Sequence, residues 1–250
     1  MSNPLDLPLA GSSPRRAGNV NPYESEEFLA AFPEGLRPGG LEITKKALAY
    51  CQFPLGAYLV DVGCGPGVTL EFLSQEGFRV LGLDSSEKLL KLASLKGPTQ
   101  KASFTSLPLA AGVADGLFCE CVLSLARDKA QVLGEFRRVI KLEGFLVLSD
   151  LLVKTPTISP KPALTSPAEP LTCASGALTY PALKALIEER GFKVTYFEDC
   201  HTALKSLAAS LVWRYGSLSQ LKTLFPSEGL GCLDGGKNLT YGLLVAQAVA

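Results

Sequence analysis

Strand-like and helix-like segments alternate along the chain from residue 57 onward. Short apolar runs predict strands, and the segments between them place apolar residues three and four positions apart, as amphipathic helices do. The predicted strands are 57–62, 78–83, 102–104, 116–123, 144–151, 192–198 and 241–249. The predicted helices are 24–32, 40–51, 65–75, 86–95, 128–141, 179–190, 202–213 and 217–224. This alternation favours a doubly wound α/β protein, a parallel sheet with helices on both faces.

The remaining segments are expected to cover this core. Residues 1–50 are interpreted as a leader and a helical cover, and residues 51–153 as the core itself. Residues 154–170 hold five prolines, which excludes helix and strand in that segment, and residues 154–178 are expected to form a lid. Residues 179–250 are expected to supply helices and closing strands of the same domain.

Charge and cysteine content narrow the function classes. The chain has 250 residues, with 24 Lys+Arg against 24 Asp+Glu, so its net charge is zero and it lacks the basic surface that nucleic acids require. The first residues lack the cationic start and apolar stretch of a signal peptide. No apolar run approaches the ~18 residues that a membrane-spanning helix needs. Seven cysteines without a C-x-x-C pair predict reduced thiols in the cytoplasm and no metal site. A small-molecule partner is therefore expected, and the oligomeric state stays open.

A glycine-rich turn follows the first strand of the core and carries the chemistry. Asp61 precedes Gly63, Cys64, Gly65 and Gly67. Glycines let the backbone turn sharply and approach a ligand without an intervening Cβ. The spacing differs from the G-x-G-x-x-G of dinucleotide sites, and a carboxylate here would repel a pyrophosphate but attract a sulfonium or an ammonium group.

A second carboxylate follows the next strand. Asp84, with Ser85 after it, directly follows the predicted strand 78–83. Parallel strands end at the same rim of a sheet, so Asp84 is expected beside the glycine turn, where it can accept hydrogen bonds from two ribose hydroxyls. The two motifs together predict a nucleoside site.

The motif from Asp61 to Gly67, combined with Asp84, resembles the class I S-adenosylmethionine-dependent methyltransferases. The resemblance implies a Rossmann-like, seven-stranded, mostly parallel sheet with an antiparallel last strand, and S-adenosyl-L-methionine as cofactor. The segment 103–109 resembles the adenine-side segment of that family, with Ser103 where an aspartate often stands and Phe104 placed to pack on the ring. The cofactor-binding residues implied in this way are Asp61, Gly63, Cys64, Gly65, Gly67, Asp84, Ser85, Ser103 and Phe104.

The segment 171–179, followed by a helix and Gly191, resembles part of the arsenite methyltransferases. In that family a cysteine at this place binds trivalent arsenic, which implies that role for Cys173, with Cys200 or Cys232 as a second thiolate. That family also has a cysteine just after the glycine motif, where this chain has Val-Thr-Leu at 68–70. Cys173 is thus the one candidate catalytic residue, and the nucleophile and general base are not assigned.

The expected activity is methyl transfer to a small-molecule acceptor by in-line displacement. The alternatives that the sequence leaves open are an arsenite methyltransferase, an NAD-dependent oxidoreductase and a non-catalytic cofactor-binding protein. Arg37 is a candidate partner of the methionine carboxylate. Tyr23, Trp213 and Tyr215 are candidate lining residues of a substrate pocket, and His201, the single histidine, argues against a Ser-His-Asp triad.

Overall fold

A single mixed sheet organises the part of the chain that the structure describes. The computed structural model describes residues 22–24, 26–32, 37–155, 172–216 and 238–250. Most of the predicted proline-rich lid, the predicted helix 217–224 and Cys232 lie outside these ranges. The strands are β1 (Tyr58–Val62), β2 (Arg79–Asp84), β3 (Thr99–Lys101), β4 (Ala114–Glu120), β5 (Ile140–Val153), β6 (Leu178–Thr179), β7 (Phe192–Asp199) and β8 (Leu239–Ala248). The helices are α1 (Glu26–Ala31), α2 (Leu41–Cys51), α3 (Val68–Gln75), α4 (Glu87–Ala93), α5 (Lys129–Val139), α6 (Tyr180–Glu188) and α7 (His201–Tyr215).

The strand order confirms the doubly wound α/β fold. Seven strands lie in the order β3-β2-β1-β4-β5-β8-β7, and the short β6 pairs with the end of β5. Strands β1 to β5 are parallel, whereas β8 is antiparallel to both β5 and β7. The chain runs outward from β1 through β2 to β3 and then returns to place β4 on the other side of β1. Strand order therefore reverses between β1 and β4, which is where ligands bind in open α/β sheets.

Helices cover both faces of this sheet, as its apolar strands require. Apolar side chains of α2, α3, α4 and α7 pack on one face, and those of α5 and α6 pack on the other. The central strand β1 is buried on both faces, with Leu59 and Val60 fully inaccessible to solvent. Among the described helices, none is both long and apolar enough to cross a lipid bilayer.

Local capping sets where several helices begin. The Ser86 hydroxyl accepts the Leu89 backbone N–H at 3.1 Å and caps α4. The Thr179 hydroxyl caps α6 in the same way through the Ala182 N–H. Such caps satisfy backbone donors that the first helical turn leaves without a partner.

Two predicted boundaries near the glycine turn are wrong. The third strand was expected at 102–104, but β3 lies at Thr99–Lys101, because its polar residues form an edge strand that shows no apolar pattern. The first core helix was expected from residue 65, but α3 begins at Val68. Gly65 and Gly67 have φ angles of 53° and 82°, which a right-handed helix cannot contain.

Candidate functional site

A cavity of about 350 Å³ opens at the carboxyl ends of β1, β2, β4 and β5. It lies at the point where strand order reverses, and its volume falls within the range of small-molecule sites. The glycine turn, both predicted aspartates, Ser85, Ser103 and Phe104 all belong to its wall or its supports. The structure therefore brings the predicted cofactor residues together in one place.

Two of the three glycines in the turn allow close packing, and the third borders the cavity. A Cβ on Gly63 would lie 2.3 Å from Cγ2 of Val122, and one on Gly67 would lie 2.9 Å from Cα of Ala93, so these two glycines allow close packing. A Cβ on Gly65 would meet nothing within 4 Å, because this residue faces the open cavity. The turn is anchored to β2, since the N–H groups of Gly63 and Cys64 donate to Leu83 O at 2.7 and 3.0 Å.

Asp84 both supports the turn and faces the cavity. Its Oδ2 accepts the Gly65 N–H at 2.9 Å, and its Oδ1 accepts the Ser86 N–H at 2.8 Å. Each carboxylate oxygen has a second lone pair, so two further hydrogen bonds can be accepted. Ser85, which follows Asp84, is exposed at the rim. This arrangement holds one carboxylate in a fixed orientation suited to a pair of vicinal hydroxyls.

Asp61 is a buried carboxyl with an unsatisfied oxygen. Its side chain lines the cavity, and Oδ2 has no hydrogen-bond partner among the described residues. Burial, reinforced by the negative charges of Glu120 and Asp84, raises its pKa to about 8, against the opposing effects of Arg37 and the Leu70 backbone amide. A ligand cation beside Asp61 would favour the ionised carboxylate and would supply the missing partner.

The adenine-side segment forms a turn. Ser103 is exposed, its Oγ lies 2.7 Å from Thr105 Oγ1, and its backbone bridges to Ser106. Phe104 is half-buried and lines the cavity. The wall there offers a ring face and one short hydroxyl, so the chain lacks the carboxylate that the family often places at this position.

Four side chains form a buried polar network beside Asp61. Arg37 Nη1 donates to both Glu120 Oε2 and Thr69 Oγ1. Thr69 Oγ1 donates to Glu120 Oε2 at 2.6 Å, and Thr44 Oγ1 donates to Glu120 Oε1 at 2.8 Å. The side chains of Arg37 and Glu120 are only 9% and 6% exposed. Arg37 Nε and Nη2 are buried without a partner among the described residues, although Arg37 lines the cavity.

The wall above β4 and β5 is mostly apolar. Leu151 of β5 lines it together with Val122 and Leu125, which follow the end of β4. Aromatic rings of the segment containing α1, Phe28 among them, line the same cavity. Cys121 adopts a left-handed φ of 58°, a conformation that is uncommon outside glycine and often marks functional sites. Burial raises the pKa of the Cys121 thiol, so it is neutral.

Among the described residues, Cys200 does not join Cys173 at the cavity as the arsenite resemblance implies, and Cys232 lies outside the described ranges. Cys173 lines the cavity, but Cys200 precedes α7 and is not among the lining residues. Cys64 and Cys121 line the same cavity as Cys173, and Cys121 Sγ lies 3.1 Å from Tyr241 Oη. Within the described ranges, no group of three or more His, Cys, Asp or Glu residues could hold a metal ion.

Some of the other candidate residues line the cavity, and others lie away from it. Tyr23 lines the cavity, but Trp213 is 92% exposed. Tyr215 packs against the cluster of Phe28, Phe32 and Leu211. The Cys64 sulfur packs against Gly82, and Cys64 is one of the residues that line the cavity. His201 lies next to Lys154 and is not part of the described cavity wall.

Sequence reasoning missed Glu120 and its threonine partners. Glu120 is the last residue of β4, just as Asp84 is the last residue of β2. An acidic residue at the end of an apolar parallel strand was therefore a signal that could have found it. Thr44 and Thr69 carried no such signal, because each is an ordinary helix residue until the fold brings it to Glu120.

Comparison with known proteins gives a consistent result. A protein-family model described as a methyltransferase domain matches residues 60–148. The ubiquinone biosynthesis O-methyltransferase of Bordetella avium is 32% identical over 165 residues, which cover 58% of this chain and 67% of that protein. The malonyl-acyl-carrier-protein O-methyltransferase of Hamiltonella defensa is 35% identical, over 38% of each chain. The arsenite methyltransferase of Halobacterium salinarum is 26% identical, over 58% of this chain and 39% of that protein.

Solved structures share the fold at low sequence identity. The 4+2 cyclase SpnF matches with a TM-score of 0.71 at 16% identity, covering 90% of this chain and 91% of that one. Phosphoethanolamine N-methyltransferase 2 of Haemonchus contortus, in complex with S-adenosyl-L-methionine, matches with a TM-score of 0.71 at 15% identity, covering 90% of this chain and 56% of that one. The match covers less than two fifths of the length of the Hamiltonella and Halobacterium proteins.

Proposed function

This chain belongs to the class I S-adenosylmethionine-dependent methyltransferase family, whose cofactor is S-adenosyl-L-methionine, and we propose that it transfers a methyl group to a small apolar acceptor. The observation that carries the proposal is the match between unsatisfied groups in the cavity and the charged groups of the cofactor. Within the part of the chain that the structure describes, one buried oxygen of Asp61 and two buried donors of Arg37 have no partner. These groups suit an ammonium and a carboxylate respectively, the two ends of an amino acid.

Each part of the cavity wall has one task in this proposal. Asp84 accepts the ribose hydroxyls, the open face of Gly65 admits the adenosyl group, and Phe104 packs on the adenine. Asp61 holds the ammonium group and lies near the sulfonium, and Arg37 holds the carboxylate. Ser85 and Ser103 supply polar contacts at the rim.

The cofactor supplies a methyl group that its sulfonium has already activated. The protein then needs to align the acceptor with that group and to exclude water, so positioning provides much of the rate. The wall over β4 and β5 is suited to this task, because Val122, Leu125 and Leu151 present apolar surface to the cavity. The cover that contains Phe28 shields the same region from solvent.

The chemistry of the wall also restricts the acceptor. Within the described wall, the carboxylates of Asp61 and Asp84 face the proposed cofactor, and Glu120 already accepts three hydrogen bonds. A general base with no other partner is therefore absent from this part of the wall. That favours an acceptor whose nucleophile ionises in solution, such as an acidic phenol or a thiol, over an aliphatic alcohol.

The test measures cofactor binding and turnover in one set of variants. Asp84→Asn leaves one acceptor oxygen, and we expect the affinity for S-adenosylhomocysteine to fall at least about tenfold, because hydrogen bonds to a charged group contribute roughly 1.5–3 kcal/mol. Asp115→Asn is the matched control, since Asp115 binds Lys141 and the Tyr58 N–H at the opposite end of the sheet. We expect this control to bind like the wild type.

Turnover is followed as S-adenosylhomocysteine released in the presence of phenols, thiols, amines and aliphatic alcohols. We expect product with apolar phenols or thiols. Binding without turnover on any acceptor would support the non-catalytic alternative, and binding of NAD in place of S-adenosylhomocysteine would support the oxidoreductase.

A further inference from the structure

We propose that Glu120 is a positioning residue, which orients Arg37 so that its free guanidinium edge binds the carboxylate of the cofactor's methionine moiety. This inference rests on the proposed function, because it assigns a partner to one group of the proposed cofactor. Glu120 itself touches no ligand in this arrangement. It acts through Arg37.

The Glu120 carboxylate is held from three directions. Arg37 precedes α2, Thr44 lies in α2, and Thr69 lies in α3, so the donors come from separate parts of the chain. Oε1 accepts from Thr44, and Oε2 accepts from both Thr69 and Arg37. A carboxylate fixed at both oxygens cannot rotate away, so Glu120 presents a rigid acceptor to Arg37.

This fixed acceptor decides which edge of Arg37 remains free. Nη1 is occupied by Glu120 and Thr69, and Nε and Nη2 have no partner among the described residues. Nε and Nη2 form one edge of the planar guanidinium group, and such an edge binds a carboxylate through two parallel hydrogen bonds. The Arg37 side chain is only 9% exposed, so water is a poor substitute for that ligand.

The neighbouring charges point to an amino-acid zwitterion and not to a simple anion. Asp61 has an unpartnered oxygen of its own and interacts electrostatically with both Arg37 and Glu120. A ligand here would find an acceptor for an ammonium group beside a donor pair for a carboxylate. Glu120 neutralises part of the Arg37 charge but leaves the edge formed by Nε and Nη2 free. Binding of the carboxylate therefore depends on the geometry of these two donors as well as on charge.

The test compares two ligands that differ only in the carboxylate. Isothermal titration measures the affinity of the protein for S-adenosylmethionine and for decarboxylated S-adenosylmethionine, which keeps the ammonium and the sulfonium. For Glu120→Gln we expect about tenfold weaker binding of S-adenosylmethionine and less than about twofold change for the decarboxylated compound, as loss of an oriented charged hydrogen bond implies. Glu71→Gln is the matched control, because Glu71 pairs with Lys96 on the exposed side of α3. It should leave both affinities unchanged.

A second set of variants separates positioning from general structural support. Arg37→Lys keeps the charge but lacks the two-nitrogen edge, so we expect the same selective loss for S-adenosylmethionine. In the Arg37→Lys background, Glu120→Gln should add little further loss, since the two residues act as a unit. Thr44→Val removes one donor to Glu120 and should give a smaller loss with the same selectivity, which carries the test if Glu120→Gln does not fold.

Three results would overturn the inference: equal weakening of both ligands by Glu120→Gln or Thr44→Val, additive losses in the double variant, or unchanged binding of S-adenosylmethionine. Failure of the proposed function is distinguishable, because the wild-type protein would then bind neither compound.

Discussion

On the β1–β2 side of the cavity, the wall includes the glycine turn and the carboxylates of Asp61 and Asp84, which come from two short stretches of chain. On the β4–β5 side, the wall is formed by apolar side chains and thiols, such as Leu125, Leu151 and Cys173, that come together from distant positions. The first side is fixed by hydrogen bonds within the sheet rim, whereas the second is fixed by packing. A wall that hydrogen bonds hold in place suits a ligand whose charged groups are always the same. A wall of packed side chains can change more easily to fit different acceptors.

The largest expected effect is on the glycine turn. Gly63→Ala places a Cβ 2.3 Å from Val122 at a positive φ, so we expect a loss of roughly 3 kcal/mol in the free energy of unfolding from combined strain and overpacking. Gly65→Ala meets no neighbour, so strain alone should cost about 1 kcal/mol, but its Cβ enters the cavity. Urea unfolding and titration with S-adenosylhomocysteine measure the two effects.

The contrast between the two glycines is the informative result. Gly63→Ala should lose mainly stability, and Gly65→Ala should lose mainly affinity. Wild-type affinity in Gly65→Ala would show that the open face of the turn is not where the ligand lies.

An intermediate effect is expected at Asp61, where stability and binding should move in opposite directions. The folded protein keeps this carboxyl protonated up to a pKa of about 8, whereas the unfolded chain ionises it near pH 4. The folded state therefore holds the extra proton between these values, and its stability falls as pH rises from about 4 to 8 and then levels off. Asp61→Asn should remove that contribution and stabilise the ligand-free protein by roughly 2 kcal/mol at pH 9.

The same substitution should weaken cofactor binding about tenfold or more, because the ammonium loses its charged partner. Calorimetry in buffers of different ionisation enthalpy provides the direct readout at pH 7. Binding to the wild type should release a proton from Asp61, and binding to Asp61→Asn should release less. Equal proton release by both proteins would contradict the proposed role of this carboxyl.

The smallest effect is expected on the opposite wall. Cys173→Ser is nearly isosteric, and we expect S-adenosylhomocysteine affinity to stay within about twofold and stability to fall by roughly 1 kcal/mol, as for a modest buried change. Methyl transfer to an organic acceptor should persist. If turnover requires arsenite and disappears in Cys173→Ser, the arsenite prediction is correct and the organic acceptor is wrong. Cys200→Ser is the control, because Cys200 is not part of the described cavity wall.

The sequence predicted the elements whose residues are apolar and whose ends carry glycine or a cap. It placed β1, β2, α2 and β8 within one or two residues, because buried strands and amphipathic helices repeat at fixed periods. It failed at β3, which is a polar edge strand, and at the start of α3, where positive φ angles delay the helix. In neither place does the apolar pattern carry the signal, because β3 has only polar residues and the start of α3 is set by backbone conformation.

The sequence by itself determined the glycine turn and the two acidic residues, Asp61 and Asp84. All of these features are local, because each lies at the end of one strand or directly after it. Only the tertiary structure decided that Arg37, Thr44, Thr69 and Glu120 form one network, and that Cys121 and Cys173 share a wall while Cys200 does not. Contacts between residues 32 to 83 positions apart leave no periodic trace in the sequence, since none of these side chains differs from an ordinary residue of its segment until the fold brings them together.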